Sequence, residues 1–260
     1  MKSKKTSNRF NVLGVGVNDT TIQNAITTIL DWIENSEKRY ICVTGVHGVM
    51  ESQRDRTLLN IHNQSGLTVP DGMPLVWLGR LYGHTHIERI YGPDLMVEVC
   101  KKSIDYGYRH FFYGGNTGVA DELAQFLKKR FPGLKIAGTF TPPFRPLNKN
   151  EEKELILQVA NSEPHFFWVG LSTPKQERFM AEFLPKLNTR VMIGVGAAVD
   201  ILSGRIKDAP DWMKNSGLQW LFRLYKEPHR LWKRYLYNNS LFILKISRQL
   251  VFDWNKLFRI

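Results

Sequence analysis

The chain has 260 residues, 43% of them hydrophobic and 12% aromatic, enough apolar mass for one large α/β domain or for a domain with an appendage. Its net charge is +12, and the excess is uneven, because Arg205 to Ile260 holds 12 basic and 4 acidic residues, a net +8. The aromatic content excludes disorder, the lack of any uninterrupted apolar run of about 18 residues excludes a membrane-spanning helix, and the basic opening MKSKKTSNRF leads into no apolar stretch of a secretory signal. Cys42 and Cys100 sit in apolar contexts with no disulfide framework, so both are expected as buried thiols of a cytoplasmic protein. A basic tail of this kind points to a polyanion, whether nucleic acid, anionic lipid or a diphosphate, although a solvated basic face has the same composition.

In chain order, Tyr40-Ile41-Cys42-Val43 reads as a strand. Leu67-Thr68-Val69 is a second apolar run that stops at Pro70 and hands over to Asp71-Gly72, with Met73-Pro74-Leu75-Val76-Trp77 following at once. His110 to Tyr113 is a strand closed by the turn Gly114-Gly115-Asn116-Thr117-Gly118-Val119, and Ala120 to Phe131 is amphipathic at helical spacing. Leu134 to Ala137 reads as a strand, TPPFRPLNKN (141–150) as a Pro-rich connecting loop, and Glu151 to Asn161 as a helix. His165 to Gly170 and Arg190 to Val195 are the last strands. This alternation predicts an α/β fold, a mainly parallel sheet with helices on both faces, whose functional residues collect at the carboxyl ends of the strands.

After about Gly204 the strand signal ends, and tryptophans and arginines at helical spacing take over. The expected division is therefore a domain over 1–204 and a helical, basic C-terminal appendage over 205–260. Ile243, Ile246, Leu250, Trp254 and Leu257 fall on one helical stripe, with Lys245, Arg248, Lys256 and Arg259 roughly opposite and Leu241 and Phe252 among the bases. Such a helix suits an anionic membrane interface, and it equally suits packing on the domain.

The two G-x-G openings, at Gly14 and Gly194, lack the third glycine of a dinucleotide fingerprint, and no P-loop, G-x-S-x-G or H-E-x-x-H occurs. The Gly114-Gly115-Asn116 turn can present backbone N–H groups and a helix start to an anion, though a tight turn needs glycines for geometry alone. Ser172 or Thr173 is expected to N-cap the helix that Pro174 begins, with Glu177 completing a capping box. Lys175 and Gln176 would then face a ligand at the helix mouth. Asp71 has two readings: the cap of a helix starting near Met73, or a desolvated carboxylate raised toward general-base use. Glu88-Arg89-Ile90-Tyr91-Gly92-Pro93-Asp94 brings a cation and another acid nearby, and the local sequence leaves the two readings tied.

Seven segments break the tie: VTGVHGVMESQRD (43–55), VPDGMPLVW (69–77), ERIYGPDLM (88–96), FFYGGNTGVA (111–120), VGLSTPKQE (169–177), IGVGAAVDILSG (193–204) and APDWMKNSGLQWLFRLYKEPHRLWKRYL (209–236). In this order they resemble the bacterial WecG/TagA/CpsF glycosyltransferase family from about Asn11 to about Leu236. The resemblance implies an inverting transferase that moves a sugar from a UDP-sugar donor to a polyprenyl-diphosphate-linked sugar acceptor in cell-surface polysaccharide biosynthesis. Asp71 matches the family's proposed catalytic base and Thr44 its pocket threonine near the donor. Arg89 and Gln176 match polar pocket positions, while Arg223, Arg230 and Lys233 match basic positions that close over the donor's diphosphate. Family members are membrane-associated through the appendage, which implies a peripheral place at the inner face of the plasma membrane. Together with His47, Gly114, Gly115, Asn116, Lys175 and Gly196, these residues make up the expected substrate site on a Rossmann-like domain.

One departure is visible. Some members carry Thr-x-Asn after the first strand, where this chain has Thr44-Gly45-Val46-His47. His47 would take part of that space, so N-acetylmannosamine, its uronic acid and glucose all stay open as donor sugars. No D-x-D metal motif occurs, and arginines can clamp a diphosphate in a metal's place, so neither metal nor cofactor is expected. Two rivals differ in class. A nucleic-acid-binding protein would explain the charge but requires neither Asp71 nor the glycine turns, and nucleic acid is not the expected partner. A non-catalytic nucleotide-sugar binder would have no need to keep Asp71, Thr44 and the arginines. A homo-oligomer stays open, since oligomeric state is not readable here.

Overall fold

In the computed structural model, which describes residues 8–257 with side chains through Asp253, the chain opens on a hairpin that the sequence reading did not contain. Strands β1 (Arg9–Val12) and β2 (Val15–Asn18) pair antiparallel around Leu13 and Gly14, both at positive φ (51° and 87°). Two such residues give the twist that a two-residue hairpin needs. The Gly14-Val15-Gly16 motif is thus a hairpin turn. The strands escaped notice because each has only four residues, of mixed polarity.

Next come α1 (Ile22–Glu34), β3 (Arg39–Thr44), α2 (Val46–Ser52), α3 (Arg56–Gln64), β4 (Leu67–Pro70), α4 (Met73–Leu81) and α5 (Gly92–Ser103). The middle of the chain supplies β5 (Arg109–Gly114), α6 (Val119–Arg130), β6 (Lys135–Phe140), α7 (Lys149–Ser162), β7 (Phe166–Gly170), α8 (Lys175–Phe183), β8 (Val191–Gly194) and α9 (Ala198–Leu202). The appendage is α10 (Asp211–Asn215), α11 (Gln219–Lys226) and α12 (Pro228–Leu257).

Strands β3 to β8 form one six-stranded sheet in the order β4-β3-β8-β7-β5-β6, parallel at every pairing. Successive side chains in a strand face opposite sides, and both sides are apolar here. Ile41, Val43, Phe166, Trp168, Val191 and Ile193 pack with α1, α5, α6 and α9. Tyr40, Cys42, Phe167, Val169 and Met192 pack with α7 and α8 on the other face. The edge at β4 is covered by the hairpin, where Asn18 Oδ1 accepts the Thr68 N–H at 2.6 Å, whereas β6 is the opposite edge of the sheet. Both cysteines are free and buried.

One boundary and one capping expectation are corrected. Asn148, not a later residue, caps α7 in a capping box with Glu151, so the Pro-rich loop ends at 148. At α8 the predicted box does not form. The N-cap position belongs to Pro174, which has no side-chain cap, and the Thr173 hydroxyl donates to the Glu177 carboxylate at 2.8 Å.

Helix α12 packs on the domain through Phe242 and Ile246, both buried against the hairpin, α2 and α4. The predicted stripe is rotated: Ile246 and Leu250 turn inward as expected, Leu241 joins them, and Ile243 is exposed. Leu231, Asn238, Phe242 and Ile246 define the inward line, which follows the three-and-four spacing of a helix face. The side chains of Trp254, Lys256 and Leu257, all of Arg259, and the basic opening through Ser7 lie outside the described residues. Among the described residues, no helix is long and apolar enough to cross a membrane.

Candidate active site

The carboxyl ends of all six strands open into one cleft of about 1430 Å³, roofed by α11 and α12. Asp71 stands at its β4 end. Its N–H donates to the Thr44 carbonyl at 2.9 Å, and the Ile90 N–H donates to the Pro70 carbonyl at 2.8 Å, so β3, β4 and the segment before α5 fix the residue by its backbone. Asp71 is not a helix cap. Gly72 occupies the N-cap of α4 and makes no side-chain cap bond, which corrects the capping reading. Oδ1 of Asp71 is sealed from solvent and makes no hydrogen bond. Burial pushes the Asp71 carboxyl up to about 6, against the opposing pull of Arg89, Arg223 and the Gly92 N–H. A buried carboxylate near that value takes a proton readily at neutral pH.

Of the predicted site residues, His47, Arg89, Gly115, Asn116, Lys175, Gln176, Gly196, Arg223 and Arg230 border the same cleft as Asp71. Arg89 lies over the Tyr91 ring at 4.8 Å and 3.7 Å from Asp94, and its Nη1 is buried without a partner. His47 Nδ1 lies 3.1 Å from Asn238 Nδ2, while Asn238 Oδ1 accepts from Arg54 at 2.7 Å. Nδ1 is therefore the acceptor and Nε2 carries the proton. Burial, with Arg234 and Arg54 nearby, pushes the His47 imidazole down to about 3, so this ring serves as a neutral hydrogen-bonding wall. Gln176 is buried, its Oε1 accepting the Gly196 N–H at 2.9 Å and its Nε2 donating to Glu177 at 3.0 Å. It fixes the turn after β8 rather than reaching out with a free amide.

Three predicted residues do not border the cleft. Thr44 is buried behind it, 3.0 Å from His62 Nε2. His62 Nδ1 faces the Leu58 carbonyl at 3.0 Å, which only accepts, so Nε2 takes the Thr44 proton. Gly114 sits where β5 passes β7 so closely that a Cβ would lie 2.5 Å from the Gly170 carbonyl oxygen. The Gly115 N–H is already donated to that oxygen at 3.2 Å, so these two glycines serve strand geometry. Lys233 points to solvent beside Trp232. Its neighbour Arg234 lines the cleft instead, because position 234 falls between Leu231 and Asn238 on the inward line of α12.

Sequence reasoning also missed Tyr91, Asp200 and Lys214, all of which line the cleft. All three lie inside motifs already quoted, as does Arg234. Tyr91 donates to Asp208 at 2.8 Å, and Lys214 holds Asp208 at 3.0 Å and Asp211 at 2.8 Å. These contacts tie the segment before α5 to the linker that leads into α10. Burial depresses the Arg234 guanidinium, opposed by Tyr235 and reinforced by Arg223 and Arg230, and its Nε is buried without a partner. Three arginines crowd one wall, and among the described residues Arg230 is neutralised in place, by Glu227 at 2.6 Å.

Over residues 10–256 the chain matches the glycosyl transferase WecG/TagA/CpsF family. The chain belongs to that family. Among its relatives, the N-acetylglucosaminyldiphosphoundecaprenol N-acetyl-β-D-mannosaminyltransferase of Bacillus subtilis (strain 168) is 27% identical over 220 residues, 83% of this chain and 84% of that protein. The enzyme of the same name from Bacillus spizizenii is 27% identical over 205 residues, 79% and 77% of the two chains. That of Staphylococcus aureus (strain MRSA252) is 24% identical over 253 residues, 95% and 96% of the two. A WecG/TagA/CpsF member is a glycosyltransferase, and the parallel α/β sheet with its helical C-terminal region is the scaffold on which this one holds its cleft.

Proposed function

We propose that the protein transfers N-acetylmannosamine from its UDP derivative to N-acetylglucosamine on a polyprenyl diphosphate, with inversion at the anomeric carbon and without a metal. The donor and acceptor sugars follow the names of the relatives. The observation that carries the mechanism is Asp71, a carboxylate with a sealed, unpartnered oxygen, set in one cleft with Arg89, Arg223, Arg230 and Arg234.

In this reading the acceptor hydroxyl gives its proton to Asp71 as its oxygen attacks the anomeric carbon. The bond from that carbon to the UDP oxygen breaks, and the electron pair leaves with the diphosphate. Arg223, Arg230 and Arg234 meet the charge that develops there, and in a partly desolvated site such charge-assisted hydrogen bonds are the largest available stabilisation. Cations held together without an anion oppose one another, so a dianion relieves the crowding. Thr44 is read as a positioning residue, holding Asp71 through its carbonyl rather than touching donor. Residues 1–204 supply the base and 205–260 the cations. The appendage carries exposed Trp232, Leu236 and Ile243 beside exposed Lys226, Lys233 and Arg248, a mixture suited to an anionic membrane face on the inner side of the plasma membrane.

The test is a transfer assay on purified protein without added metal. UDP-N-acetylmannosamine, its uronic acid and UDP-glucose are each paired with polyprenyl-diphosphate-linked N-acetylglucosamine and glucose. Product from UDP-N-acetylmannosamine alone, indifferent to EDTA and lost in Asp71→Asn, supports the donor, the base and the metal-free step, and the anomeric configuration of that product tests inversion. Transfer that EDTA abolishes overturns the metal-free mechanism, and product from a different donor overturns the sugar assignment.

A further inference from the structure

We propose that His47 is a positioning residue that docks the arginine-bearing turn of α12 onto the α/β domain, and that it does not read the donor sugar. The proposal rests on the nucleoside-diphosphate donor proposed above and adds what holds one of its cations in place.

Arg234 is the cation that needs holding. It borders the cleft, Arg223 and Arg230 repel it, and among the described residues no carboxylate forms an ion pair with it. Its Nε is buried without a partner, and its guanidinium lies 5.9 Å from the ring of Tyr235, a neighbour that travels on the same helix. A buried cation in such company is unfavourable, and lifting this part of α12 away from the domain would relieve it. The apolar anchors of α12 are Leu231 before this stretch and Phe242 after it, about three turns apart, so the turns between them need a hold of their own.

Asn238, buried between those anchors and one turn beyond Arg234 on the same face, supplies the hold. Both ends of its amide are used. Oδ1 accepts from Arg54 at 2.7 Å, and Nδ2 donates to His47 Nδ1 at 3.1 Å. Arg54 is itself held by Glu51 at 2.6 Å and lies over the Tyr237 ring at 5.3 Å. At the far end, His47 Nε2–H donates to the backbone carbonyl of Thr173, in the loop between β7 and α8. From Arg54 through Asn238 and His47 to Thr173 every donor points the same way, so each bond polarises the next. The Thr173 carbonyl only accepts, which fixes the tautomer and leaves Nδ1 to receive Asn238. Burial, with Arg234 and Arg54 nearby, keeps the imidazole neutral, so the ring adds no charge to the arginine wall. Both ring nitrogens are thus spent inside the protein, and neither is left for a sugar hydroxyl. His47 ties together α2, which carries it, α12 and the loop after β7.

The experiment uses the full-length protein with UDP and UDP-N-acetylmannosamine as separate binding probes, alongside amide hydrogen exchange without nucleotide. His47→Phe keeps a ring and breaks both bonds. It should weaken the two ligands by the same factor, roughly 5- to 10-fold, the scale of one hydrogen bond left unmade. In an Arg234→Ala background it should cost little more, because the group it positions is gone, and His47→Asn, whose amide oxygen reaches the place of Nδ1, should recover most of the affinity. In the nucleotide-free protein α12 should exchange faster in His47→Phe while β7 and β8 keep wild-type protection. Asn238→Ala attacks the same bond from the other side and should reproduce this pattern. Unchanged protection of α12 in both variants overturns the docking role. So does weaker UDP-N-acetylmannosamine with unchanged UDP, which would make His47 a reader of the sugar, and so does a full, additive loss in the Arg234→Ala background. Wild-type protein that binds neither ligand overturns the donor reading itself, and the exchange result then decides the docking alone.

Discussion

Strands β7 and β8 are buried along their whole length, whereas helices α10 and α11 bury no side chain. The sheet is held by dry apolar packing on both faces. The appendage is pinned instead by polar contacts: Tyr91 and Lys214 on Asp208, Arg54 on Asn238, Gln249 on the Leu13 N–H and Tyr82 on Asp253. Only α12 adds an apolar anchor, through Leu231, Phe242 and Ile246. On the proposed mechanism the wall that offers cations to a diphosphate cannot be dry, since an unpaired buried charge costs several kcal/mol. The difference teaches a division of labour: the sheet fixes the carboxylate, and the loosely anchored helices bring the countercharge.

The sharpest way to break this comparison is to cut the chain after Gly204. Transfer should fall below detection while far-UV circular dichroism keeps the α/β signature and thermal unfolding stays cooperative at a lower Tm. Wild-type transfer by the truncated protein would sink the closing role of the appendage. Next in size, Asp71→Asn should lower kcat roughly 100-fold or more, the scale of a lost general base, with UDP binding retained. On the other side of the cleft, Arg234→Ala should reduce kcat/KM by roughly 10- to 100-fold, as expected for one charge-assisted hydrogen bond. Lys233→Ala should change it little. Equal effects at 233 and 234 would contradict the helix phase seen here.

Protonation provides a finer comparison. Asp71 must be ionised to act, so kcat/KM should rise with pH through about 6 and then level off. Arg89 pulls the carboxyl down, so Arg89→Met should move that limb to higher pH. A limb that stays in place would show that Arg89 does not act on Asp71. The same raised value bears on stability. The native state holds this proton more tightly than the unfolded chain, so the favourable contribution is fully present below the unfolded value near 3.8 and is lost as pH rises through about 6. Asp71→Asn should accordingly raise Tm relative to wild type at pH 8, with the gap closing below pH 4. The smallest effect is expected at the latch: Tyr91→Phe removes one hydrogen bond, worth about 1 kcal/mol, and should lower kcat/KM only a few-fold.

The main strands were legible because parallel strands buried on both faces are continuous apolar runs, as in Phe166 to Val169, and α6 and α7 were legible from their amphipathic spacing, whereas α1, α2, α3, α5 and α9 were not placed. The hairpin was not, since RFNV and VGVN carry too little apolar pattern to stand out from a loop. At the site, Asp71, Arg89 and Arg223 were found through motif resemblance, and their meeting in one cleft depends on the β4 edge and the return of α11 over it. Thr44, Gly114 and Lys233 were named from motifs alone. Which positions face the cleft is set by packing: His62 holds Thr44 behind it, the close pass of Gly170 occupies the place of a side chain at Gly114, and the face of α12 that packs on the domain leaves Lys233 outside.

The sequence by itself determined the layered α/β order, the basic tail and the family, because periodicity, charge and motif spacing are properties of the chain. Tertiary structure alone decided that Asp71 is no helix cap, that Arg234 rather than Lys233 faces the cleft, and that His47 meets Asn238 of α12. Those outcomes depend on burial and on through-space charge, and both arise only when separate segments of the chain are packed against one another.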